Sequence, residues 1–587
     1  MENWFIKNKK ADFEYIMKEC GISEVLARCL VNRGLTDPEK IKVFLHPSLE
    51  DLYNPFLLKD MEKACDILQA KIISGKTVRI VGDYDVDGVV STYILYRTLK
   101  MLGAKVDYEI PDRIHDGYGI NMRIVEEAKE QRIDTLLTCD NGIVAMEQVS
   151  KAKEYGMTVI ITDHHNLLES EDNSVLIPEA DAVINPKRPD CPYPFKGLCG
   201  AAVAYKLAVA LLDRFDIPDK DGYEKELLSY TAIATVCDVM ELVDENRIIV
   251  KHGLDMLRNT SNTGLLSLMD VCRINKENLS AFHLGFIIGP CLNASGRLDT
   301  AKKGLCLLLA DNKKEALELA VNLRSLNEAR KDMTEKCVEK ATALIEKGNM
   351  LGDKVLVVYI PECHESIAGI IAGRLRERYH RPAIVLADSA ESEYVKGSGR
   401  SINEYNMIEE LSKHRDLFIK VGGHPMAAGL SMLPENIEIL RKVLNENAPL
   451  TEEMLKPRVT IDVLLPLGYL NEKLVNELRL LEPFGNGNSK PLFAEKDLTV
   501  KSLMIIGNNS NGIKMRVRNQ YGREMDALYF GDIDRFFSYI NDTYGPDEVW
   551  RLKTGRGSNI KLTVTYYPNI NEYNGYKSIQ IMIQNYR

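Results

Sequence analysis

From Met61 onward the apolar and polar positions switch repeatedly between two periods. A helical spacing ending near Ile73 gives way to an apolar run at 77–81, which predicts a buried strand. An apolar-rich helix is predicted over 89–102 and a strand over 105–110. Three more short apolar runs, at 135–138, 158–162 and 182–184, read as further strands with helical stretches between them. Strand-helix alternation at this spacing predicts a parallel α/β sheet. Residues 198–309 carry mostly helical spacing, and charges at helical intervals over 313–347 predict one long, solvated connecting helix. A second, smaller α/β region spans about 355–432 and starts with the strand KVLVVYI. Beyond Pro457 the period changes to two, in KMRVR, EMDALYF and KLTVTYY, separated by turn signals such as Gly507-Asn508-Asn509. A small β-barrel is the expected form of that last part.

These shifts divide the chain into an N-terminal lead-in (1–55), an α/β domain (56–312), a connecting helix (313–350), a second α/β domain (351–450) and a barrel (455–587). Pro47 and Pro55 punctuate the end of the helical lead-in. A length of 587 residues fits several domains at roughly 150 residues each. With 45% hydrophobic and 27% charged residues, the chain has what a soluble globular core requires. The formal net charge of -10 excludes a polyanion binder held by diffuse positive charge. It leaves room for a nucleic-acid enzyme whose basic groups are confined to a groove. The first twenty residues carry charges throughout and no apolar core, so no signal peptide is expected. No apolar run has the length of a membrane span. The 12 cysteines form no CxxC pair, which predicts scattered thiols in a reduced, cytoplasmic protein.

The chemistry is concentrated after the strands. Gly82-Asp83-Tyr84-Asp85-Val86-Asp87-Gly88 places a carboxylate at every second position behind an apolar run. In extended backbone, alternate side chains share a face and can converge. Like charges so gathered are costly unless cations neutralise them, and hard divalent ions favour carboxylate oxygens. An EF-hand is excluded, because no Glu closes a 12-residue loop. Two further strand ends give Cys139-Asp140-Asn141-Gly142 and Asp163-His164-His165-Asn166, and Asp238 ends another apolar run. Neutral imidazole is a good ligand for ions of the Mn²⁺ type. Two ions held this way activate a water for in-line displacement at phosphorus.

The set GDYDVDG, CDNG, DHH and CDVM resembles the four motifs of the DHH phosphoesterase superfamily, in that family's order. Gly422-Gly423-His424 resembles the GGH motif of the associated DHHA1 domain. Pro290 to Arg297 (PCLNASGR), His364 to Ile370 (HESIAGI) and Ser398-Gly399-Arg400-Ser401 resemble segments typical of the RecJ family, whose members carry a C-terminal oligonucleotide-binding barrel (OB-fold). The resemblance covers nearly the whole chain. It implies a metal-dependent 5′-to-3′ exonuclease that degrades single-stranded DNA to mononucleotides in DNA repair and recombination, using two divalent cations, Mn²⁺ or Mg²⁺. It implies that Asp85 and Asp140 bind the first ion. Asp87, Asp140, His164 and Asp238 bind the second, with Asp140 bridging. His165 would touch the scissile phosphate, and Asp83 would contribute less directly. Val81 stands where some superfamily members have a histidine, so the first ion is expected to be held less tightly.

An exonuclease must find a chain end, and a terminal phosphate suits arginine forks with hydroxyl or backbone donors. Ser398 and Arg400, in a run expected as a flexible loop, fit that role, with Arg297, Arg113 and His424 as further substrate contacts. Lys514, Arg516, Arg518 and Tyr529 are plausible strand contacts on the barrel, although a solvated strand face explains them almost as well. The expected partners are a single strand with a 5′ end, a helicase and a single-strand-binding protein, with no membrane. Two alternatives share these motifs. One is a DHH phosphodiesterase of short oligoribonucleotides or cyclic dinucleotides. The other is a non-catalytic RecJ-like replication subunit, against which stands the presence of every motif acid.

Overall fold

Five short runs rich in β-branched residues make the sheet that carries the acidic motifs. In the computed structural model its strands lie in the order Lys105–Glu109, Thr77–Val81, Thr135–Cys139, Thr158–Thr162 and Ala182–Ile184, every neighbouring pair parallel. Both faces of such a sheet are covered, so its strands read as continuous apolar runs. Val81, Leu136, Val159 and Ile161 bury one face together with Ile124, Val125 and Val149 from two covering helices. The chain reverses its direction of progress between Thr77–Val81 and Thr135–Cys139, which are adjacent in space but not in sequence. Open α/β sheets bind ligands at the carboxyl ends of strands at such a switch point. The parallel α/β sheet expected from the sequence is therefore present, with its acidic motifs at the switch.

The structure describes residues 2–113, 115–170, 174–389, 393–507, 511–554, 556, 558–573 and 575–587. It divides into two compact units, Leu52–Pro457 and Glu2–Asp51 with Arg458–Arg587. In the first unit, the helices after the sheet lead into Lys313–Lys347. That helix is more than a solvated connector. Ala316, Ala320, Leu323, Asn327, Cys337, Ala341 and Ile345 form a buried stripe along it, at the spacing of a helix with one apolar face. A second sheet follows, in the order Phe418–His424, Ala427–Met432, Val395–Arg400, Ala383–Asp388 and Leu356–Tyr359. Only the last two strands are parallel to each other.

The second unit contains the predicted barrel. Its six strands run in the order Val463–Leu464, Phe493–Ile506, Gly512–Arg518, Glu524–Tyr529, Tyr576–Tyr586 and Lys561–Tyr573, and pairing of Phe493–Ile506 with Lys561–Tyr573 closes the sheet. Asn508 and Asn509 of the predicted turn lie outside the described residues. The N-terminal segment joins this unit. Asn3–Ile6 pairs with Arg458–Ile461, and Leu26, Leu30 and Ile41 share one core with Leu478, Phe493 and Val564. Tyr529, expected as a strand contact, is buried in that core. Lys514 and Arg516 are tied to Asp526 on the neighbouring strand, each at 2.9 Å. Among the described residues no helix is long and apolar enough to cross a membrane.

Candidate active site

The acidic run does not stay extended, as its every-second-residue spacing suggests. After Val81 the chain turns straight into the helix Val86–Met101, for which Asp85 is the N-cap, accepting the Gly88 amide at 3.1 Å. Asp87 lies in the first helical turn. The three carboxylates therefore converge at a strand-to-helix corner, where the helix dipole favours negative charge. Asp87 is also tied across the fold. Its two oxygens accept the amides of Gly200 and Ala201, at 2.6 and 2.7 Å, from the start of the helix Gly200–Leu212. Gly200 is required there by space, since a β-carbon would lie 2.6 Å from the Asp140 side chain.

Asp140 follows the strand Thr135–Cys139 with φ 62°, a left-handed conformation uncommon outside glycine, although Asp tolerates it better than most residues. The conformation is held by Asn141, whose amide donates to the carbonyls of Val81 and Cys139 at 2.9 Å each and whose oxygen accepts the Ile120 amide at 3.0 Å. Asp238 caps the end of the helix Lys220–Cys237, and Val239 beyond it takes φ 57°. A β-branched residue in this region is strained, and such strain gathers at functional sites.

Among the described residues three groups result, each with ligand atoms within 4.8 Å of one another: Asp83, Asp85 and Asp140; Asp87, His164 and Asp238; and Asp140, His164 and His165. Asp140 belongs to two of them. His164 Nε2 lies 3.1 Å from Asp140 Oδ1, 3.6 Å from Asp87 and 3.7 Å from Asp238. The Asp140 approach lacks hydrogen-bond geometry. Among the described residues, buried Asp140 Oδ1 and His164 Nδ1 have no hydrogen-bond partner. Unsatisfied buried groups of this kind call for a ligand, and their chemistry suits divalent cations. Burial, with Asp85 adding repulsion, pushes Asp83 up to about 8. Burial, with Asp87 and Asp85, pushes Asp238 up to about 8 as well. Asp140 is raised by burial and by the carboxylates around it. Burial lowers His164 to about 4, so its imidazole is neutral and able to ligate.

The sequence reading passed over Asp163 as a site residue. Its Oδ1 lies 2.8 Å from His165 Nδ1 and accepts the backbone amides of His164 and His165, while Oδ2 accepts the Ile143 amide at 2.9 Å. Those bonds to the charged form outweigh its burial and lower its pKa. The Tyr118 hydroxyl donates to the Asp140 carbonyl at 2.7 Å and lies 2.9 Å from His165 Nδ1. Asp163 was visible as the first letter of its motif, whereas Tyr118 had no sequence signal.

The arginines gather elsewhere in the same unit. Arg113, Arg297, Ser398 and Arg400 line a cavity of about 540 Å³ with Ser366, Gly369 and Lys396 among the other lining residues. Ser398 and Arg400 are not on a flexible loop. They lie two apart on the strand Val395–Arg400, paired on both sides, and so share one face. The helix Ala368–Tyr379 crosses that face at Gly369, where a β-carbon would meet Arg400 Nη2 at 2.7 Å and Ser398 Oγ at 2.9 Å. Arg297 reaches over from the first α/β part and donates to the Ser366 carbonyl at 2.5 Å. Burial lowers Arg297 to about 10, with Arg113 and Arg330 adding repulsion. Burial, Arg376 and Arg113 lower Arg400. Arg113 stacks over the Tyr84 ring, 4.6 Å from its centroid. Such a concentration of cations is stabilised by an anion. His424 lies outside both clusters, exposed, with Nδ1 accepting the Met426 amide at 3.2 Å.

Family models match the DHH family N-terminal domain over residues 77–235, the DHHA1 domain over 352–448 and the RecJ OB domain over 461–585. The single-stranded-DNA-specific exonuclease RecJ of Bacillus subtilis (strain 168) is 35% identical over 589 residues, covering 99% of this chain and 70% of that protein. The chain belongs to the RecJ family. RecJ from Thermus thermophilus, solved in complex with Mn²⁺, superposes with TM-score 0.81 at 28% identity, covering 100% of this chain and 79% of that one. The same protein with Mg²⁺ gives 0.75 at 27%, covering 100% and 78%. The RecJ frame thus spans both sheets and the barrel, with Asp83, Asp85, Asp87, Asp140, His164 and His165 inside the DHH match, Asp238 just beyond its end, and Ser398 and Arg400 in the DHHA1 part.

Proposed function

We propose that the protein is a single-strand-specific DNA exonuclease that uses two divalent cations, Mn²⁺ or Mg²⁺, and digests from the 5′ end. One observation carries this reading. A carboxylate–histidine centre sharing Asp140 and a half-buried arginine cavity lie in one compact unit, linked by the Asp83–Asp87 corner and the helix Gly289–Leu298. In this reading Asp83, Asp85 and Asp140 hold one cation, and Asp87, Asp140, His164 and Asp238 hold the other. When bound, the cations supply an activated water and neutralise charge developing on the phosphate. Asp163 orients His165, whose half-exposed ring faces the scissile phosphate. The arginine cavity holds the terminal phosphate, setting which diester lies at the centre. Lining contributed by both α/β parts favours a single strand over a duplex, whose diameter is much larger. A helicase and a single-strand-binding protein would supply the strand in the cytoplasm during repair and recombination.

The test compares three substrates: a long 5′-phosphorylated single strand, a blunt duplex and a dinucleotide. The reading expects mononucleotide release from the single strand, little from the blunt duplex, and no preference for the dinucleotide. Equal rates on duplex and single strand refute it, and a marked dinucleotide preference makes the protein a short-oligonucleotide phosphodiesterase.

A further inference from the structure

All 12 cysteines are free thiols, and two of them touch on a helix that serves the site. Cys272 Sγ and Cys291 Sγ lie 3.8 Å apart. Cys272 is half-buried at the C-terminal end of the helix Thr263–Val271, and Cys291 is fully buried in the helix Gly289–Leu298. Arg324 donates to the Val271 carbonyl, covering a helix end whose dipole would otherwise oppose an anion. The Cys291 thiol lowers Cys272 to about 7, with Arg324 and Lys331 assisting and burial and Glu328 opposing. Cys291 keeps its proton, pushed up by Cys272 and by burial. Burial pushes Cys29, Cys65 and Cys139 up to about 12. The thiolate, not the thiol, is the nucleophile, so Cys272 stands apart from those buried thiols.

Cys291 stands on a helix with little room to move. Asn327 Nδ2, from the long helix Lys313–Lys347, donates to Cys291 Sγ at 3.5 Å. A β-carbon at Gly289 would lie 2.3 Å from Sγ of Cys237, the neighbour of Asp238. One at Gly296 would lie 2.4 Å from the carbonyl oxygen of Tyr84, between Asp83 and Asp85. Two residues beyond Cys291, Asn293 Oδ1 accepts the Val86 amide at 3.1 Å, between Asp85 and Asp87. Arg297, in the last turn, lines the arginine cavity. A shift of this helix is therefore felt at the acidic corner, beside Asp238 and in the cavity. Bonded sulfurs lie about 2.05 Å apart. Joining Cys272 to Cys291 thus closes their 3.8 Å separation by about 1.8 Å.

We propose that Cys272 and Cys291 form a peroxide-sensitive thiol pair whose disulfide pulls on the helix Gly289–Leu298 and slows hydrolysis. The effect on hydrolysis rests on the exonuclease reading of the site, whereas formation of the bond does not. The oxidant is hydrogen peroxide. The Cys272 thiolate attacks one peroxide oxygen, the O–O bond breaks, and the leaving hydroxide takes a proton to become water. Cys272 is then a sulfenic acid. The Cys291 sulfur attacks the Cys272 sulfur, the S–O bond breaks, and the hydroxyl leaves as water with the Cys291 proton. Two thiols lose two electrons and two protons, and one peroxide becomes two waters. The half-buried Cys272 meets the oxidant, and the buried Cys291 resolves the sulfenic acid. In a reducing compartment such a bond is transient, which suits a reversible signal.

The test exposes the reduced full chain in EDTA to a small excess of hydrogen peroxide, then blocks the remaining thiols with N-ethylmaleimide in denaturant. Mass spectrometry of the intact chain and of non-reduced peptides locates any bond. A second aliquot is freed of peroxide and assayed on a 5′-phosphorylated single strand with Mg²⁺. The wild type should lose the mass of two hydrogens, show the Cys272–Cys291 peptide, and turn over at least roughly tenfold more slowly, since a shift of an ångström at a site can cost that much or more. Dithiothreitol should restore the rate. Cys272→Ser should match the reduced wild type before peroxide and keep its rate after it. The wild-type peptide map stands by itself should that variant fold poorly. Absence of the bond overturns the proposal, as does a bond mapped to another pair, Cys337 with Cys363 included. A Cys272–Cys291 bond that leaves the rate unchanged overturns the switch while the exonuclease reading stands. Reduced wild type that releases no nucleotide from the strand sinks the exonuclease reading and the switch together.

Discussion

Asp163 Oδ1 and His165 Nδ1 are 2.8 Å apart, and the same carboxylate oxygen takes the backbone amides of both histidines that follow it. One carboxylate thus fixes the His165 ring and the loop that carries His164. Asp163→Asn removes the charge that holds the imidazole and turns one amide N–H toward a backbone donor. We expect kcat to fall by roughly a hundredfold or more and stability to drop by about 1–3 kcal/mol. Single-turnover rates and thermal unfolding measure the two effects. A variant with wild-type kcat and an unchanged pH–rate profile removes Asp163 from the mechanism.

Asp140 is shared by two of the ligand groups, so Asp140→Ala should abolish hydrolysis. Folding should survive, because deleting one member of a like-charged cluster relieves repulsion. The check is turnover with saturating Mn²⁺ together with the unfolding midpoint in EDTA. Near-wild-type turnover sinks the two-ion assignment.

The buried carboxylates predict how the metal-free protein responds to pH. Asp83 and Asp238 have folded values of about 8 against an ordinary 3.8. A group raised on folding contributes stability that is full below its unfolded value and is lost as pH rises through its folded value. The loss should therefore spread from about pH 4 to about pH 8. His164 opposes it only at the acid end, since its folded value of about 4 lies below its ordinary 6.5. Between pH 6.5 and 8.5 in EDTA, the thermal midpoint should fall. Asp238→Asn should flatten the fall, and saturating Mg²⁺ or Mn²⁺ should remove it. A midpoint that rises over this range contradicts the assignment.

Arg400 and Ser398 share one face of a strand that lines the arginine cavity. If they hold the terminal phosphate, Arg400→Ala should reduce kcat/KM on 5′-phosphorylated strands by roughly tenfold to a hundredfold, the value of one charge-assisted bond. On 5′-hydroxyl strands it should matter much less, since the partner is already missing. The four combinations of protein and substrate form a double-mutant cycle. Equal slowing of both substrates assigns Arg400 to general strand binding or structure.

Legibility in the sequence followed the range of the interaction. Strand periods, the long helix and the change to a two-residue period beyond Pro457 are local patterns, and they predicted the sheet and the barrel. The five residues predicted to bind the ions, Asp85, Asp87, Asp140, His164 and Asp238, and the two predicted to act beside them, Asp83 and His165, are brought together by the fold. The manner of their meeting was misread, because a strand-to-helix corner and an extended run share the same letters. Ser398 and Arg400 read as a loop for a similar reason. Glycine and serine mark turns in isolation, yet here glycine serves close packing inside a paired strand. Tyr529 read as a surface aromatic because alternation alone does not say which face of a barrel strand points inward.

By itself, the sequence determined the residue types, most of the secondary structure and the chemistry available at each strand end, because all of these depend largely on neighbours a few positions apart. The tertiary structure alone decided which groups meet. Asp87 takes its amides from Gly200 and Ala201, Arg297 reaches the Ser366 carbonyl, and Leu26 and Leu30 share a core with Phe493. These contacts join positions from tens to hundreds of residues apart. Their formation depends on burying apolar surface against a distant partner, a quantity that no local period encodes.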